Sequence, residues 1–231
     1  MIKNKAKKCF FSIRVLKSRV LIALAKIVDR LSIVKFYQSV PELNIHKTDE
    51  LTFGRWDAMK GEFSGGNGPM SVLDIGSNSG FYSIKIAKLG HCVTAIDSSI
   101  VHYSFLYNAT NVLDIQNIHL GRMHITEENV GSLPDYDCIL LLNVFHHWCR
   151  FYGAETALRM LDVVYHKTKR VMFFETGQTD TDPWVKDSLP DMGEAVVDWM
   201  IRLFEEKGAK EVKELYKRTS RKERSLLLIR K

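Results

Sequence analysis

The stretch Val72–Tyr82 most constrains what this chain can fold into. A short apolar run, Val72–Ile75, precedes Gly76 and Gly80, and apolar residues then recur at helical spacing. This order predicts a strand, a glycine turn and a helix, which together make a ligand-binding βα junction. The start of such a helix presents N–H groups without partners, and glycine lets a ligand approach the backbone closely.

A second apolar run, Cys92–Ile96, ends in Asp97. It predicts a carboxylate at the tip of the neighbouring strand, where the ribose hydroxyls of a nucleotide-type cofactor would lie. The turn itself reads Asp74-x-Gly76-x-x-x-Gly80, so an aspartate stands where the dinucleotide fingerprint has its first glycine. Because a carboxylate there would repel a pyrophosphate and suits a cationic ligand, the pattern disfavours a nicotinamide cofactor.

This stretch resembles motif I of the class I S-adenosylmethionine-dependent methyltransferases. The resemblance implies that Gly76 and Gly80 shape the loop under the methionine moiety, while Asp74 orders that loop or reaches the amino group through water. It also implies that Asp97 takes the ribose hydroxyls. A glycine turn in another kind of α/β domain is the alternative. The expected binding set for S-adenosylmethionine, whose product is S-adenosylhomocysteine, is Asp74, Gly76, Ser77, Asn78, Gly80, Phe81, Asp97, Ser98 and Asn143.

The clearest buried strand, residues 135–142, runs into Asn143-Val-Phe-His146-His147. Ligands of open parallel sheets bind beyond the carboxyl ends of the strands, where the strand order reverses. The segment resembles the one after the fourth strand in small-molecule and RNA-modifying methyltransferases of this class. We therefore expect His147, and after it His146, to face the methyl acceptor, because a neutral imidazole can take a hydroxyl proton. The alternative for either histidine is a structural role as a helix cap or against Trp148.

Glu175 follows the predicted fifth strand, residues 170–174. It can reach the acceptor as a third catalytic candidate, or it can hydrogen-bond loop backbone, and the sequence leaves both interpretations open. The adjacent histidines have no second ligand cluster at metal-binding spacing, so we expect no metal. The loop after the third strand holds no acidic residue before Glu127, so adenine recognition by such a side chain is not expected.

The fold expected from this order of elements is α/β. It is a seven-stranded, mostly parallel, doubly wound Rossmann-like sheet of the class I methyltransferase type, preceded by an N-terminal amphipathic helix. We expect a basic helical arm at 1–40, a connector that covers the cofactor at 41–70 and the S-adenosylmethionine-binding domain at 71–231. In the connector, Phe53, Arg55 and Trp56 are candidates for closing the site, and Trp56 can equally fill core.

The basic character of the chain belongs to its arm. Residues 1–35 carry ten Lys or Arg and one Asp, a net charge of +9, whereas the whole chain has +6 and the remainder is therefore net acidic. The periodicity predicts a helix over 18–36. Three partners stay open for it: the body of the protein, an anionic membrane surface reached through residues 1–36, or RNA, for which stacking aromatics are few there.

The function expected is methyl transfer from S-adenosylmethionine to an oxygen of a small-molecule, glycan or lipid-linked acceptor. An RNA (tRNA-type) methyltransferase is the first alternative, because residues 143–147 and 174–176 also look like those of wobble-uridine tRNA-modifying relatives, although no large extra RNA-binding domain accompanies them. A non-catalytic scaffold on the cofactor fold is the second. We expect a cytoplasmic protein, peripheral at the inner face of a membrane if the arm docks there, and no oligomeric state follows from the sequence.

Overall fold

The structure is a computed structural model that describes residues 2–30, 38–45, 50–66, 68–178, 189, 193–218 and 224–231. The strands are β1 (Ser71–Ile75), β2 (Cys92–Asp97), β3 (Ile118–Arg122), β4 (Tyr136–Leu142), β5 (Thr168–Glu175), β6 (Glu211–Arg218) and β7 (Arg224–Arg230). The α-helices are α1 (Ile2–Arg30), α2 (Glu50–Ser64), α3 (Phe81–Lys88), α4 (Ile100–Leu113), α5 (Glu127–Val130), α6 (Phe145–Tyr152), α7 (Ala154–His166) and α8 (Val196–Glu206), and a 3-10 turn spans Pro41–Leu43.

The seven strands form one sheet in the order β3-β2-β1-β4-β5-β7-β6. The neighbours from β3 to β5 are parallel, and β7 lies antiparallel between β5 and β6. The order reverses between β1 and β4, and Asp74 of β1 is in register with Ala95 on one side and Leu140 on the other. The predicted fold class is confirmed, and the reversal places the carboxyl ends of β1, β2 and β4 beside one another.

Both faces of the sheet are covered by helices, so its central strands are buried on both sides. Val72 belongs to the core cluster on one face and Leu73 to the cluster on the other, as the alternation of side chains along a strand requires. This double burial explains why β1 and β4 read as nearly continuous apolar runs in the sequence.

Several helices differ from the sequence-based expectation. The arm is helical from Ile2 rather than from residue 18, and its expected end at 31–36 lies outside the described residues. The sequence predicts a short helix around 56–60 in the connector, which instead holds the fifteen-residue helix α2. It predicts the third strand at 115–120, whereas β3 spans Ile118–Arg122, and it does not predict α5 or α6. α6 is only eight residues long, so the helical spacing of its buried Phe145, Trp148 and Cys149 makes a short signal.

Among the helices that the structure describes, none has both the length and the apolar character needed to cross a bilayer.

Candidate functional site

The glycine loop between β1 and α3 is tightly packed at both of its glycines. Gly76 has a φ of +76°, and a Cβ there would lie 2.6 Å from Cγ2 of Val144. Gly80 has a φ of +83°, and its Cβ would lie 2.2 Å from Cδ1 of the buried Leu106. Since only glycine combines a positive φ with such close approach, both positions need it. The contact at Gly76 also brings the β1 and β4 loops together.

Asp97, at the end of β2, is oriented toward the glycine loop. Its Oδ2 accepts a hydrogen bond from the Asn78 N–H at 2.8 Å, and its Oδ1 accepts one from the Ser99 N–H at 2.8 Å. His102 Nδ1 lies 3.3 Å from Oδ1. Burial raises the pKa of Asp97, but the hydrogen bonds from His102, Ser99 and Asn78 outweigh it and hold the pKa below its usual value. The site therefore presents an ionised acceptor group beside the loop.

Asp74 lies beneath the loop rather than on its surface. It is 2% exposed, and its Oδ2 accepts a hydrogen bond from Ser83 Oγ at 2.6 Å. Burial is the largest influence and raises the pKa of Asp74 to about 6, against the lowering effect of the Ser83 hydrogen bond. Asp74 thus ties the end of β1 to α3 and is poised to ionise near neutral pH.

Asn143 begins the β4 loop in the left-handed conformation, with a φ of +58°. Its N–H donates to the Glu175 carbonyl at 2.8 Å, and its Nδ2 donates to Glu175 Oε1 at 2.7 Å. The amide oxygen, Oδ1, is buried and has no hydrogen-bond partner among the described residues. A buried acceptor without a partner costs free energy, so this oxygen is suited to a ligand donor.

The two histidines differ in their surroundings. His146 is buried, and its Nδ1 accepts a hydrogen bond from the Gly177 N–H at 3.1 Å. His147 is exposed on α6, with its ring centroid 4.2 Å from that of His146 and 6.5 Å from that of Phe151. Partial desolvation, and then the charge of Arg150, lower the pKa of His147. His147 is thus the accessible, readily neutral imidazole of the pair.

Glu175 is fully buried and held by two side chains. Arg55 Nε donates to Oε2 at 2.6 Å, and Arg55 Nη2 donates to Oε1, the oxygen that Asn143 also contacts. Because the Glu175 carboxylate is fully buried as well as held by these two side chains, whereas the Asp97 side chain is 11% exposed, Glu175 is better suited to positioning than to contact with the acceptor. The pair fixes α2 against the carboxyl end of β5, whereas Trp56 stacks on Phe63 at 6.2 Å and fills core.

The remaining candidates for cofactor binding are Ser77, Asn78 and Phe81, in and directly after the glycine loop, and Ser98, which follows Asp97. Ser77 is buried, with its N–H bonded to the Ile96 carbonyl, and Asn78 has a φ of +52° within the loop. The ring of Phe81 is buried, and its N–H donates to Gln38 Oε1 at 3.3 Å. Ser98 is exposed beyond Asp97. Sequence reasoning missed Gln38, Ser83 and His102 as partners of this site, and no local pattern marks them.

No family model matches the sequence. The O-antigen chain terminator bifunctional methyltransferase/kinase WbdD of Escherichia coli is 28% identical over 112 residues, which are 45% of this chain and 15% of that protein. A structure of WbdD matches at a TM-score of 0.69 and 19% identity over 86% of this chain and 44% of that chain. The chain thus spans less than half of the WbdD that it matches.

Two further solved structures resemble this chain over most of their length. The N-terminal domain of EvdMO1, determined in the presence of S-adenosylhomocysteine and D-fucose, matches at a TM-score of 0.61 and 13% identity over 92% of this chain and 96% of that one. Magnesium protoporphyrin IX methyltransferase (ChlM) of Synechocystis PCC 6803, with S-adenosylmethionine bound, matches at a TM-score of 0.55 and 16% identity. The match covers 80% of this chain and 86% of that one. The strand order, the glycine loop and these likenesses together show that the chain has the fold of the class I S-adenosylmethionine-dependent methyltransferases.

Proposed function

We propose that this protein is an S-adenosylmethionine-dependent methyltransferase that methylates an oxygen of a glycan or small-molecule acceptor. The observation that carries the proposal is the contact between the β1 and β4 loops, where Gly76 lies against Val144. Through it the binding candidates of the glycine loop lie beside Val144, which precedes the helix that carries His147.

The residues at this edge fit the cofactor in three ways. Gly76 and Gly80 leave backbone where any side chain would intrude, Asp97 offers a carboxylate to hydroxyl groups, and Asn143 Oδ1 offers a buried acceptor to a cationic amino group. When bound, S-adenosylmethionine supplies a methyl group activated by a positively charged sulfur. The protein's own contribution is then alignment and the exclusion of water.

His147 is the proposed general base. As the acceptor oxygen forms its bond to the methyl carbon and the bond from that carbon to sulfur breaks, the hydroxyl proton passes to the neutral imidazole. Such a proton transfer contributes about 100-fold or more to a rate. His146 orients the segment from its buried position, and Glu175 holds the Asn143 amide in place.

The acceptor class draws support from the relatives. WbdD is described as an O-antigen chain terminator, EvdMO1 was crystallised with D-fucose, and ChlM is a porphyrin methyltransferase. None of these names concerns RNA, and the two sugar-related proteins favour a glycan hydroxyl here. A non-catalytic scaffold is not favoured, because Asp74, Gly76, Gly80 and Asp97 are all in place at the site.

Two finer points belong to the same proposal. We place the enzyme in the cytoplasm, since the buried free thiols of Cys138 and Cys149 suit a reducing compartment. We favour an acceptor that is linked to a lipid, because the strongly basic N-terminal arm would be attracted to an anionic membrane surface. We also propose the arm, 1–40, and the connector, 41–70, as segments that precede the 71–231 domain and pack against it, since Ile22 and Met59 share a core cluster with Val72.

Calorimetric titration with S-adenosylhomocysteine tests the cofactor site. We expect micromolar binding of S-adenosylhomocysteine and no binding of NAD. Asp97→Ala should weaken the binding of S-adenosylhomocysteine about tenfold or more, because two hydroxyl contacts are worth roughly 1 kcal/mol each. Transfer of labelled methyl to a panel of sugars that includes D-fucose then tests the acceptor. A folded protein that binds no S-adenosylhomocysteine overturns the proposal.

A further inference from the structure

Helix α1 has two apolar faces, and within the described part of the chain only one of them is covered. Ser18 and Ile22 are 2% and 5% exposed where α1 packs against α4, and Ala25 packs beside them. Five apolar side chains elsewhere on the helix are each at least half exposed. This α1 stripe consists of Ile13, Leu16, Val20, Leu24 and Ile27, at 59, 64, 52, 51 and 50% exposure.

The α1 stripe is continuous. Its members are spaced by three and four residues, which keeps them on one side of the helix for four turns. Isolated exposed apolar residues are common on monomeric proteins, but contiguous apolar surface of this length marks an interaction site. The helix therefore docks to the body through one face and offers a second face to another surface.

Basic residues border the α1 stripe along both of its edges. On a helical projection, Arg14 and Lys17 follow one edge, and Arg19 and Lys26 follow the other. Arg14, Lys17 and Arg19 are exposed, and Arg14 also lies over the ring of Tyr107, 5.2 Å from its centroid. Residues 12–27 include no Asp or Glu. The surface thus combines an apolar centre with cationic margins, which is complementary to anionic headgroups above acyl chains.

The apolar surface continues from α1 onto α4. A groove of about 510 Å³ between the two helices is lined mainly by apolar groups, among them Leu21 and Phe105. At its mouth Ile100 and Val101 are 51% and 47% exposed. These residues follow Asp97 by three and four positions. The apolar surface therefore reaches the edge of the sheet at which the proposed cofactor site lies.

We propose that the α1 stripe and its basic margins seat this protein on an anionic bilayer surface. In this arrangement α1 lies in the plane of the membrane, its apolar side chains enter the headgroup boundary, and Arg14, Lys17, Arg19 and Lys26 reach lipid phosphates. The inference extends the proposed function, on which it rests for its biological sense, by placing the methyl-transfer site beside lipid-linked acceptors. Vesicle binding needs no methyl transfer, so either proposal can fail alone.

Flotation of the full-length protein with vesicles tests this surface. We expect binding to phosphatidylcholine vesicles that contain phosphatidylglycerol, weaker binding to phosphatidylcholine alone, and a loss of binding as salt screens the charges. The triple variant Leu16→Gln, Val20→Gln, Leu24→Gln should bind about tenfold or more weakly, because each buried apolar side chain is worth roughly 1 kcal/mol or more. Leu89→Gln, at a residue 45% exposed on α3's C-terminal end, is the matched control and should bind normally.

Charge reversal separates the basic margins from the stripe. Arg14→Glu with Arg19→Glu should weaken binding to the anionic vesicles about tenfold or more, since each cation near such a surface contributes roughly 1 kcal/mol, and should leave binding to neutral vesicles nearly unchanged. Lys88→Glu, at an exposed lysine of α3, is the control. A circular dichroism spectrum and a urea unfolding curve like those of the wild type show that each variant is folded.

Two results would overturn the inference. One is equal vesicle binding by the wild type and the triple variant. The other is a wild-type dimer in sedimentation velocity that becomes monomeric in the triple variant while vesicles bind neither protein. In that case the α1 stripe is an interface between two copies of the chain.

Discussion

Arg55 and Glu175 lie 120 residues apart in the sequence and form a two-point ion pair in the protein interior, with side chains 3% and 0% exposed. The pair joins α2 to the last residue of β5, and Glu175 in turn holds the side chain of Asn143. A single buried carboxylate thereby links the connector, the end of β5 and the residue from which the chain leads into α6, the helix of the two histidines.

Arg55→Ala should destabilise the protein by about 3–5 kcal/mol, because it leaves the buried Glu175 charge without its cationic partner. Urea unfolding at neutral pH measures this loss. Arg202→Ala is the matched control: Arg202 is 51% exposed and pairs with Glu194 and Glu206, so we expect a loss below about 1 kcal/mol. The double variant Arg55→Met, Glu175→Gln should recover most of the stability, and a double variant as unstable as Arg55→Ala would contradict the electrostatic explanation.

In the ligand-free protein, the stability of Asp74→Asn relative to the wild type should increase as the pH rises. The pKa of Asp74 is raised from 3.8 to about 6 in the folded state, so the folded protein binds the proton more tightly than the unfolded chain. The wild type therefore loses stability as pH rises from about 4 to 6, by about 3 kcal/mol, and the variant does not.

Urea unfolding curves of both proteins, recorded from about pH 4 to pH 8, give the difference in their free energies of unfolding directly. Asp57→Asn, on the exposed face of α2 beside Lys60, is the control and should run parallel to the wild type. A constant difference between wild type and Asp74→Asn across this range would argue against a raised pKa. Asp74→Asn should also bind S-adenosylhomocysteine more weakly, since the amide no longer attracts a cationic amino group.

The fold, and the gathering of the candidate residues at one edge of the sheet, could be predicted because their signals are local. The apolar runs of β1 and β4 and the spacing of Gly76 and Gly80 are read within a dozen residues. The same holds for Asp97 at the end of β2. Once these elements are assigned, parallel pairing and the reversal of strand order bring their carboxyl ends to one edge.

What could not be predicted depends on tertiary contacts. Arg55 was one of three candidates for closing the site, and no local pattern indicates its ion pair with Glu175, which lies 120 residues away. Similarly, the burial of His146 and the exposure of His147 depend on how α6 packs, and two adjacent histidines carry no periodicity that separates them. The uncovered face of α1 also appears only when its contact with α4 is known.

His147→Ala should lower kcat for the methylated acceptor by about 100-fold or more, because the acceptor hydroxyl loses its base, and should leave S-adenosylhomocysteine binding within about twofold. The pKa of His147 is lowered from 6.5, and only the neutral imidazole accepts a proton. The wild-type rate should therefore fall as pH drops below 6.5, and that acid limb should be absent in the variant.

The control for this prediction is His166→Ala, at a histidine 67% exposed in the last turn of α7, which should keep both the rate and the acid limb. If His147→Ala retains the full rate and the same pH profile, the base is elsewhere and His146 becomes the next candidate.

Three glycine-to-alanine substitutions, of which only Gly80→Ala is in the glycine loop, separate the cost of backbone strain from the cost of steric contact. Gly80→Ala combines a φ of +83° with a Cβ that would lie 2.2 Å from Leu106 Cδ1, so we expect a loss of about 2–5 kcal/mol. Gly90→Ala has a φ of +92° and no atom within 4 Å, which predicts only the strain of about 1–2 kcal/mol. Gly61→Ala, within α2 and with open space around it, should gain about 0.5–1 kcal/mol.

Urea unfolding ranks the three variants, and titration with S-adenosylhomocysteine relates the ranking to the site. Gly80→Ala should weaken binding about tenfold or more, because Leu106 is 1% exposed and has no room to yield, so that the loop itself must shift. Gly90→Ala should bind normally. Equal losses of stability in Gly80→Ala and Gly90→Ala would mean that Leu106 does yield, and the close approach of loop and α4 would then not be what shapes the cofactor site.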